Sequence, residues 1–232
     1  MDDSRELLTT AREEVAAVCR QLAADGLVVG TAGNVSARVG DLVAVTATGT
    51  RFGEITAEQV TVVDLEGRTV AGRFAPTSEL GLHLGLYRRY GTGAIVHTHA
   101  PLAVALGSVL DELPIIHYQL LALGGPVRVA AYHTFGTAEL AQAVSDALDG
   151  RYAALMSNHG AVSHGSTLSR AVEYAQLLDW GCGIYWQAAV LGTPRVLDAA
   201  QRQAAVLQYR ALGYGTTRPT GAPPPSPLTG GE

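Results

Sequence analysis

Apolar positions along this chain alternate between helical and strand-like spacing, and the alternation delimits nearly every element. Leu8, Ala11, Val15, Cys19 and Leu22 fall three or four apart, which predicts a helix over 4–25, capped by Ser4 and ended at Gly26. Val35 to Arg38 and Leu42 to Thr46 flank Gly40-Asp41, and Val60 to Asp64 and Arg68 to Val70 flank Leu65-Glu66-Gly67; each pair reads as a hairpin. Leu80, His83, Leu84 and Tyr87 predict a helix starting near Thr77-Ser78, and Ile95 to His99 predicts a β-branched strand. Pro101 opens a helix to about Leu106, and a strand at Val127 to Ala131 follows the loose segment Leu123-Gly124-Gly125-Pro126. Thr137 caps a helix to about Leu148, and Ala153 to Ser157 is a strand that turns through Asn158-His159-Gly160 into Ala161-Val162-Ser163. Helices over Leu168 to Leu191 and Asp198 to Leu212 complete the pattern.

Strands grouped in hairpins but interleaved with helices predict an α/β fold: a single domain over residues 1–215, with a mixed, mainly antiparallel central sheet flanked by helices. From Thr216 onward the chain holds five of its ten prolines among Gly, Ser and Thr, so residues 216–232 are expected to form a disordered tail.

His97 and His99 stand one residue apart at the end of a predicted strand, so their side chains point to one face with Cβ atoms roughly 6–7 Å apart. Two imidazoles at that spacing can share a metal ion, but zinc usually takes at least three protein ligands, so the pair alone does not make a site. A third histidine, His159, sits at the end of another predicted strand. Three short segments fall where backbone N–H groups are free to hold an anion: Thr31, Gly33 and Asn34; Thr48 and Gly49; and Thr77 and Ser78. None has the pattern of a P-loop or a dinucleotide-binding loop. Glu79, one residue past the third segment, is placed to serve a metal either as ligand or as proton acceptor. His83, one turn beyond it, has apolar neighbours that predict a half-buried packing role, and His117, His133 and His164 lack partners at ligand spacing.

Composition narrows the chemistry. All 16 basic residues are arginine, so neither a Schiff-base lysine nor a P-loop lysine exists. A net charge of −5 with pI near 5.8 speaks against a nucleic-acid or anionic-membrane surface. Cys19 and Cys182, far apart on predicted helices, give no disulfide framework, and an acidic N-terminus without a signal-type apolar core predicts a soluble, cytoplasmic protein. No apolar run is long enough to span a bilayer.

Seven segments in register carry a resemblance over roughly residues 4–215: Gly-Thr-Ala-Gly-Asn-Val-Ser (30–36), Thr-Ala-Thr-Gly (46–49), Pro-Thr-Ser-Glu (76–79), Val-His-Thr-His-Ala (96–100), Ile-His-Tyr (116–118), Thr-Phe-Gly-Thr (134–137) and Asn-His-Gly (158–160). Together they resemble the class II aldolase and adducin-head family, which has a three-layer fold. The resemblance implies a zinc ion held by His97, His99 and His159, with Glu79 as a resting-state ligand that becomes the acid/base when substrate displaces it. It implies a phosphate pocket from Thr31, Gly33, Asn34, Thr48, Gly49, Thr77 and Ser78, with Thr77 in place of the family's usual serine. Tyr118, contributed by a neighbouring subunit, would protonate the aldehyde oxygen, Phe135 would shape the aldehyde end, and Tyr214 would close over the site. The implied assembly is a homotetramer with the active site between subunits.

The implied reaction is cleavage of a phosphorylated ketose, such as L-fuculose 1-phosphate, to dihydroxyacetone phosphate and an aldehyde through a metal-stabilised enediolate. The chemistry is coherent, because a chain without lysine cannot form an iminium and a metal is the remaining electrophile. Pentulose-phosphate 4-epimerases of the family resemble it less, since they typically carry aspartate at the position of Glu79 and a lysine on the phosphate; sugar-acid phosphate decarboxylases are a further alternative. A non-catalytic adducin-like binding module would lack the metal ligands, and all three are present. Because ligating imidazoles must be neutral, metal affinity is expected to weaken toward and below about pH 6.5.

Overall fold

The structure, a computed structural model, describes residues 2–213; Tyr214 and the Pro/Gly-rich tail fall outside the described residues. Nine strands form one sheet: β1 (Asn34–Val39), β2 (Leu42–Thr46), β3 (Val60–Asp64), β4 (Thr69–Ala71), β5 (Ala94–Thr98), β6 (Glu112–Leu113), β7 (Val127–Ala130), β8 (Ala153–Met156) and β9 (Gly160–Gly165). Their order in space is β4-β3-β2-β1-β5-β9-β8-β7-β6, and every neighbouring pair is antiparallel except β7 with β8. The mixed, mainly antiparallel sheet expected from the hairpins is therefore present.

Helices cover both faces. On one side α1 (Asp2–Ala24), α3 (Pro101–Gly107) and α5 (Leu168–Leu191) bury Val15, Cys19, Leu22, Leu106, Val172 and Leu178 against Val35, Val96 and Leu155. On the other, α2 (Leu80–Tyr90) and α4 (Ala138–Ala147) bury Leu82, Leu86, Leu140 and Val144 against Val43, Ile95 and Val162. Each such aliphatic side chain contributes about 1.5–3 kcal/mol on burial, so the two layers clamp β5 rigidly at the centre. The last helix, α6 (Ala199–Leu212), packs on a 3-10 segment at Tyr118–Leu123. Among the described residues no helix is long and apolar enough to cross a membrane.

Local differences from the sequence expectation include two element ends near the site and one additional short strand. Strand β5 stops at Thr98, so His99 lies just beyond it. Helix α2 begins at Leu80 with Glu79 as its N-cap residue, one to two residues later than the Thr77-Ser78 pair suggested. The two-residue β6 is too short to leave a periodic signal.

Candidate active site

The site is assembled where β1, β5 and β9 lie side by side. Asn34 pairs with His97 across β1 and β5, and His97 pairs with Val162 across β5 and β9. The turn from β8 to β9 places Asn158 at φ 54° and returns His159 over β5. Glycine is required on both flanks: a Cβ at Gly160 would lie 2.2 Å from the Thr98 carbonyl oxygen, and one at Gly33, with φ 92°, would lie 2.8 Å from that of His97. The backbone thus closes tightly around the end of β5.

Three imidazoles converge there. Ring centroids are 4.8 Å apart for His97 and His99, 5.0 Å for His97 and His159, and 4.9 Å for His99 and His159, and one nitrogen from each falls within 4.8 Å of the others. His97 is fully buried, and its Nδ1–H donates to the Ala161 carbonyl at 3.0 Å, which leaves the Nε2 lone pair facing the cluster. That Nε2 is 3.0 Å from Nε2 of His99.

Glu79 completes the group. At the N-cap of α2 its side chain makes no capping bond; the carboxylate turns inward instead, with Oε2 3.1 Å from His97 Nε2 and Oε1 3.6 Å from His159 Nε2. Asn34 Nδ2 donates to Oε2 at 2.9 Å, while Oε1 is buried without a hydrogen bond among the described residues. Burial raises the carboxyl's pKa, but when the imidazoles are protonated the hydrogen bond and charge of His97, together with the Asn34 amide and the charge of His159, outweigh it and hold the group below the usual carboxylate range. A buried carboxylate oxygen without a hydrogen bond, on a side chain set against His97 and His159 of a three-imidazole cluster, is the donor set a divalent ion such as zinc takes. The residues present therefore fit a metal, with His97, His99, His159 and Glu79 as its holders.

Burial, then the neighbouring imidazoles His97 and His159, lowers the His99 pKa to about 3, and burial followed by His97 lowers that of His159. This revises the pH expectation drawn from ordinary histidines. A depressed pKa keeps the ligand form neutral to lower pH, so protons compete less with a metal. Two histidines at their ordinary value would weaken binding on the order of a hundredfold between pH 7 and 5.5; competition titration against a chromophoric chelator is expected to show a far smaller change.

Beside the cluster lies a cleft of about 310 Å3, lined by Thr31, Gly33, Asn34, Thr48, Gly49, Thr77, Ser78, Glu79, His99, Phe135 and His159. All three anion-type segments thus meet at one place. Two of them are zipped together: Thr77 N donates to the Thr46 carbonyl at 2.9 Å and Thr48 N to that of Ala75 at 3.0 Å. Thr31, Thr48, Gly49 and Ser78 sit at the open mouth, while Asn34, Thr77 and Glu79 form the buried floor.

Other residues stand differently from the sequence reading. The Asn34 amide is engaged by Glu79 and His83 rather than held open to an anion. Tyr118, about two-fifths exposed, lines a separate apolar groove with Ile116, Leu197 and Tyr209, away from the cleft of its own subunit. Tyr214 lies outside the described residues. His83 is fully buried and hydrogen-bonded rather than half-buried packing. His117 and His164 are structural as expected: the former caps the 3-10 segment through its Nδ1, and the latter bonds Arg151 and Thr92 and stacks on Tyr90. Tyr132 also lines the cleft and is unmarked by any motif; its only sequence signal is a position three residues before Phe135 in the same loop.

This fold, with its histidine cluster and acidic neighbour at the end of a central strand, defines a lyase of the class II aldolase type, and the chain belongs to that family: residues 13–186 match the Class II Aldolase and Adducin N-terminal domain. It is 36% identical over 213 residues to a 5-deoxy-D-ribulose 1-phosphate aldolase of Bacillus thuringiensis, covering 90% of this chain and 99% of that one. It is 32% identical to an L-fuculose phosphate aldolase of Escherichia coli K12, covering 82% and 89% respectively. Among solved structures, an L-fuculose 1-phosphate aldolase superposes with a TM-score of 0.83 at 32% identity, over 86% of this chain and 96% of that one.

Proposed function

We propose that the protein is a zinc-dependent aldolase that cleaves a 1-phosphorylated ketose of the 5-deoxyribulose or L-fuculose type to dihydroxyacetone phosphate and an aldehyde. The observation that carries this reading is Glu79, an ionised carboxylate at the floor of a hydroxyl-lined cleft with each oxygen directed at a histidine. Zinc held by His97, His99 and His159 supplies the electrophile that polarises the ketose carbonyl and offsets the charge of the enediolate.

The chain's own groups supply the rest. The hydroxyls of Thr31, Thr48, Thr77 and Ser78, with backbone N–H groups at Gly33 and Gly49, bind the phosphate without any arginine lining the cleft among the described residues. In the condensation direction Glu79 takes a proton from the hydroxymethyl carbon of dihydroxyacetone phosphate; in cleavage it returns that proton to the same carbon. Tyr118 of a neighbouring subunit in a homotetramer exchanges the proton of the aldehyde-derived hydroxyl, which accounts for its position away from its own subunit's cleft. Phe135 and Tyr132, exposed at the cleft mouth, present apolar ring surface to the far end of the sugar and favour a deoxygenated terminus.

The test is a cleavage assay on 5-deoxyribulose 1-phosphate, L-fuculose 1-phosphate, L-rhamnulose 1-phosphate and L-ribulose 5-phosphate, with and without chelator. Chelator-sensitive release of dihydroxyacetone phosphate from the first two is expected; epimerisation of L-ribulose 5-phosphate without cleavage would overturn the reading. The shared site gives a second expected result. Tyr118→Phe and Glu79→Gln proteins should each be inactive, yet subunits mixed by reversible dissociation should recover about one quarter of wild-type activity, because one site in four then pairs an intact Glu79 with a neighbour's intact Tyr118. Absence of recovery would place both residues in one subunit.

A further inference from the structure

Behind Glu79 runs a buried relay that no motif announces. Tyr87 and His83, both on α2, meet Ser36 of β1: Ser36 Oγ is 2.7 Å from Tyr87 Oη and 2.7 Å from His83 Nδ1. His83 Nε2 contacts Asn34 Oδ1, and Asn34 Nδ2 donates to Glu79 Oε2 at 2.9 Å. All five side chains are less than a tenth exposed. The Asn34 oxygen is an acceptor only, so His83 Nε2 carries the proton and Nδ1 is left to accept from the Ser36 hydroxyl, which in turn accepts from Tyr87. Every bond then runs in one direction, from the tyrosine to the carboxylate.

An asparagine amide can flip end for end with little change in shape, and the two orientations do opposite things here. With Nδ2 toward Glu79 it donates to the carboxylate; reversed, it sets a carbonyl dipole against a buried anion. A neutral His83 that accepts the Ser36 hydroxyl at Nδ1 and donates from Nε2 is compatible only with the first orientation. We infer that His83 is a positioning residue for Glu79: it fixes the Asn34 amide, which anchors Oε2 and leaves Oε1 as the oxygen free to exchange a proton. This inference rests on the acid/base reading of Glu79.

Purified, metal-loaded full-length protein tests it. His83→Leu should lower kcat about tenfold, the worth of one such oriented hydrogen bond, with KM within about twofold of wild type and metal content unchanged. His83→Gln, whose amide can donate to Asn34 and accept from Ser36, should recover most of the rate. In a Glu79→Gln background His83→Leu should cost little more, because the carboxylate it serves is gone. Should the leucine variant fail to fold, Ser36→Ala, which removes the hydroxyl that sets the His83 tautomer, should give the same kcat-without-KM pattern at smaller amplitude. The inference is overturned by wild-type kcat in both His83→Leu and Ser36→Ala, by losses that follow melting temperature instead of hydrogen-bonding capacity, or by full additivity with Glu79→Gln. A Glu79→Gln protein with wild-type turnover is a separate result, and it would overturn the acid/base reading together with the relay built on it.

Discussion

His97→Ala should abolish metal binding and lower turnover by at least about a thousandfold, since it removes the most buried of the three proposed nitrogen ligands and with it the proposed electrophile. Purified wild-type protein should carry about one zinc per chain by elemental analysis, and full occupancy in the mutant would refute the assignment. The substitution has a structural cost as well: it opens a cavity at a fully buried position and strips the Ala161 carbonyl of its donor, together worth about 2–4 kcal/mol. His159 separates the two effects. It is only partly buried and sits on the turn entering β9, so His159→Ala should lose the metal while melting close to the metal-free wild type. If both variants lose metal and only His97→Ala loses appreciable intrinsic stability, the metal loss is a matter of ligation and not of unfolding.

The parts of the site that could be read from the sequence are those that local chain geometry fixes. His97-Thr98-His99 ends a β-branched run, His159 sits in an Asn-His-Gly turn, and Glu79 precedes an amphipathic helix; each position follows from period and punctuation within a few residues. What stayed hidden depends on register between distant strands. That Asn34 faces His97 is a fact of the β1–β5 pairing, and that His83 reaches Asn34 depends on how α2 lies on that sheet. The apolar neighbours of His83 correctly marked a face turned to the core, but helical spacing cannot reveal that Ser36 and Asn34 wait opposite it with polar atoms. His83 therefore belongs to a hydrogen-bonded chain as well as to the packed face of its helix. Asn34 shows the same limit: its place in a Gly-rich turn puts it on the cleft lining, but only the strand register reveals that its side-chain amide donates to the Glu79 carboxylate. Tyr118 shows the complementary difficulty, because the proposed role across a subunit boundary leaves no geometric trace within a single chain, where the residue lines a separate apolar groove.

Glu79→Gln should keep the fold and the substrate affinity but reduce kcat by about two to four orders of magnitude, the range general acid/base groups supply. The change is isosteric and the Gln oxygen can still accept from Asn34 Nδ2, so the floor of the cleft is preserved. The proposed phosphate contacts are Thr31, Thr48, Thr77 and Ser78 of the cleft lining, which the substitution does not alter, so KM should stay near wild type. Since the carboxyl lies well below the usual range, Glu79 is ionised through the neutral region, and the deprotonated form that starts the condensation is the resting one. The pH sign follows. A depressed pKa makes the ionised group's contribution present at neutral pH and lost only as acid approaches the folded-state value, so the acid limb of the wild-type profile should not be set by Glu79 near pH 4.5. The proposed coordination by Glu79 would be weakened too, and saturating zinc distinguishes the two losses: a rate that returns to wild type with added metal would assign Glu79 to coordination alone. A rate that stays low at full occupancy requires the carboxylate itself in the proton transfer, because at that point the mutant differs from wild type only in lacking a group able to take and return the proton.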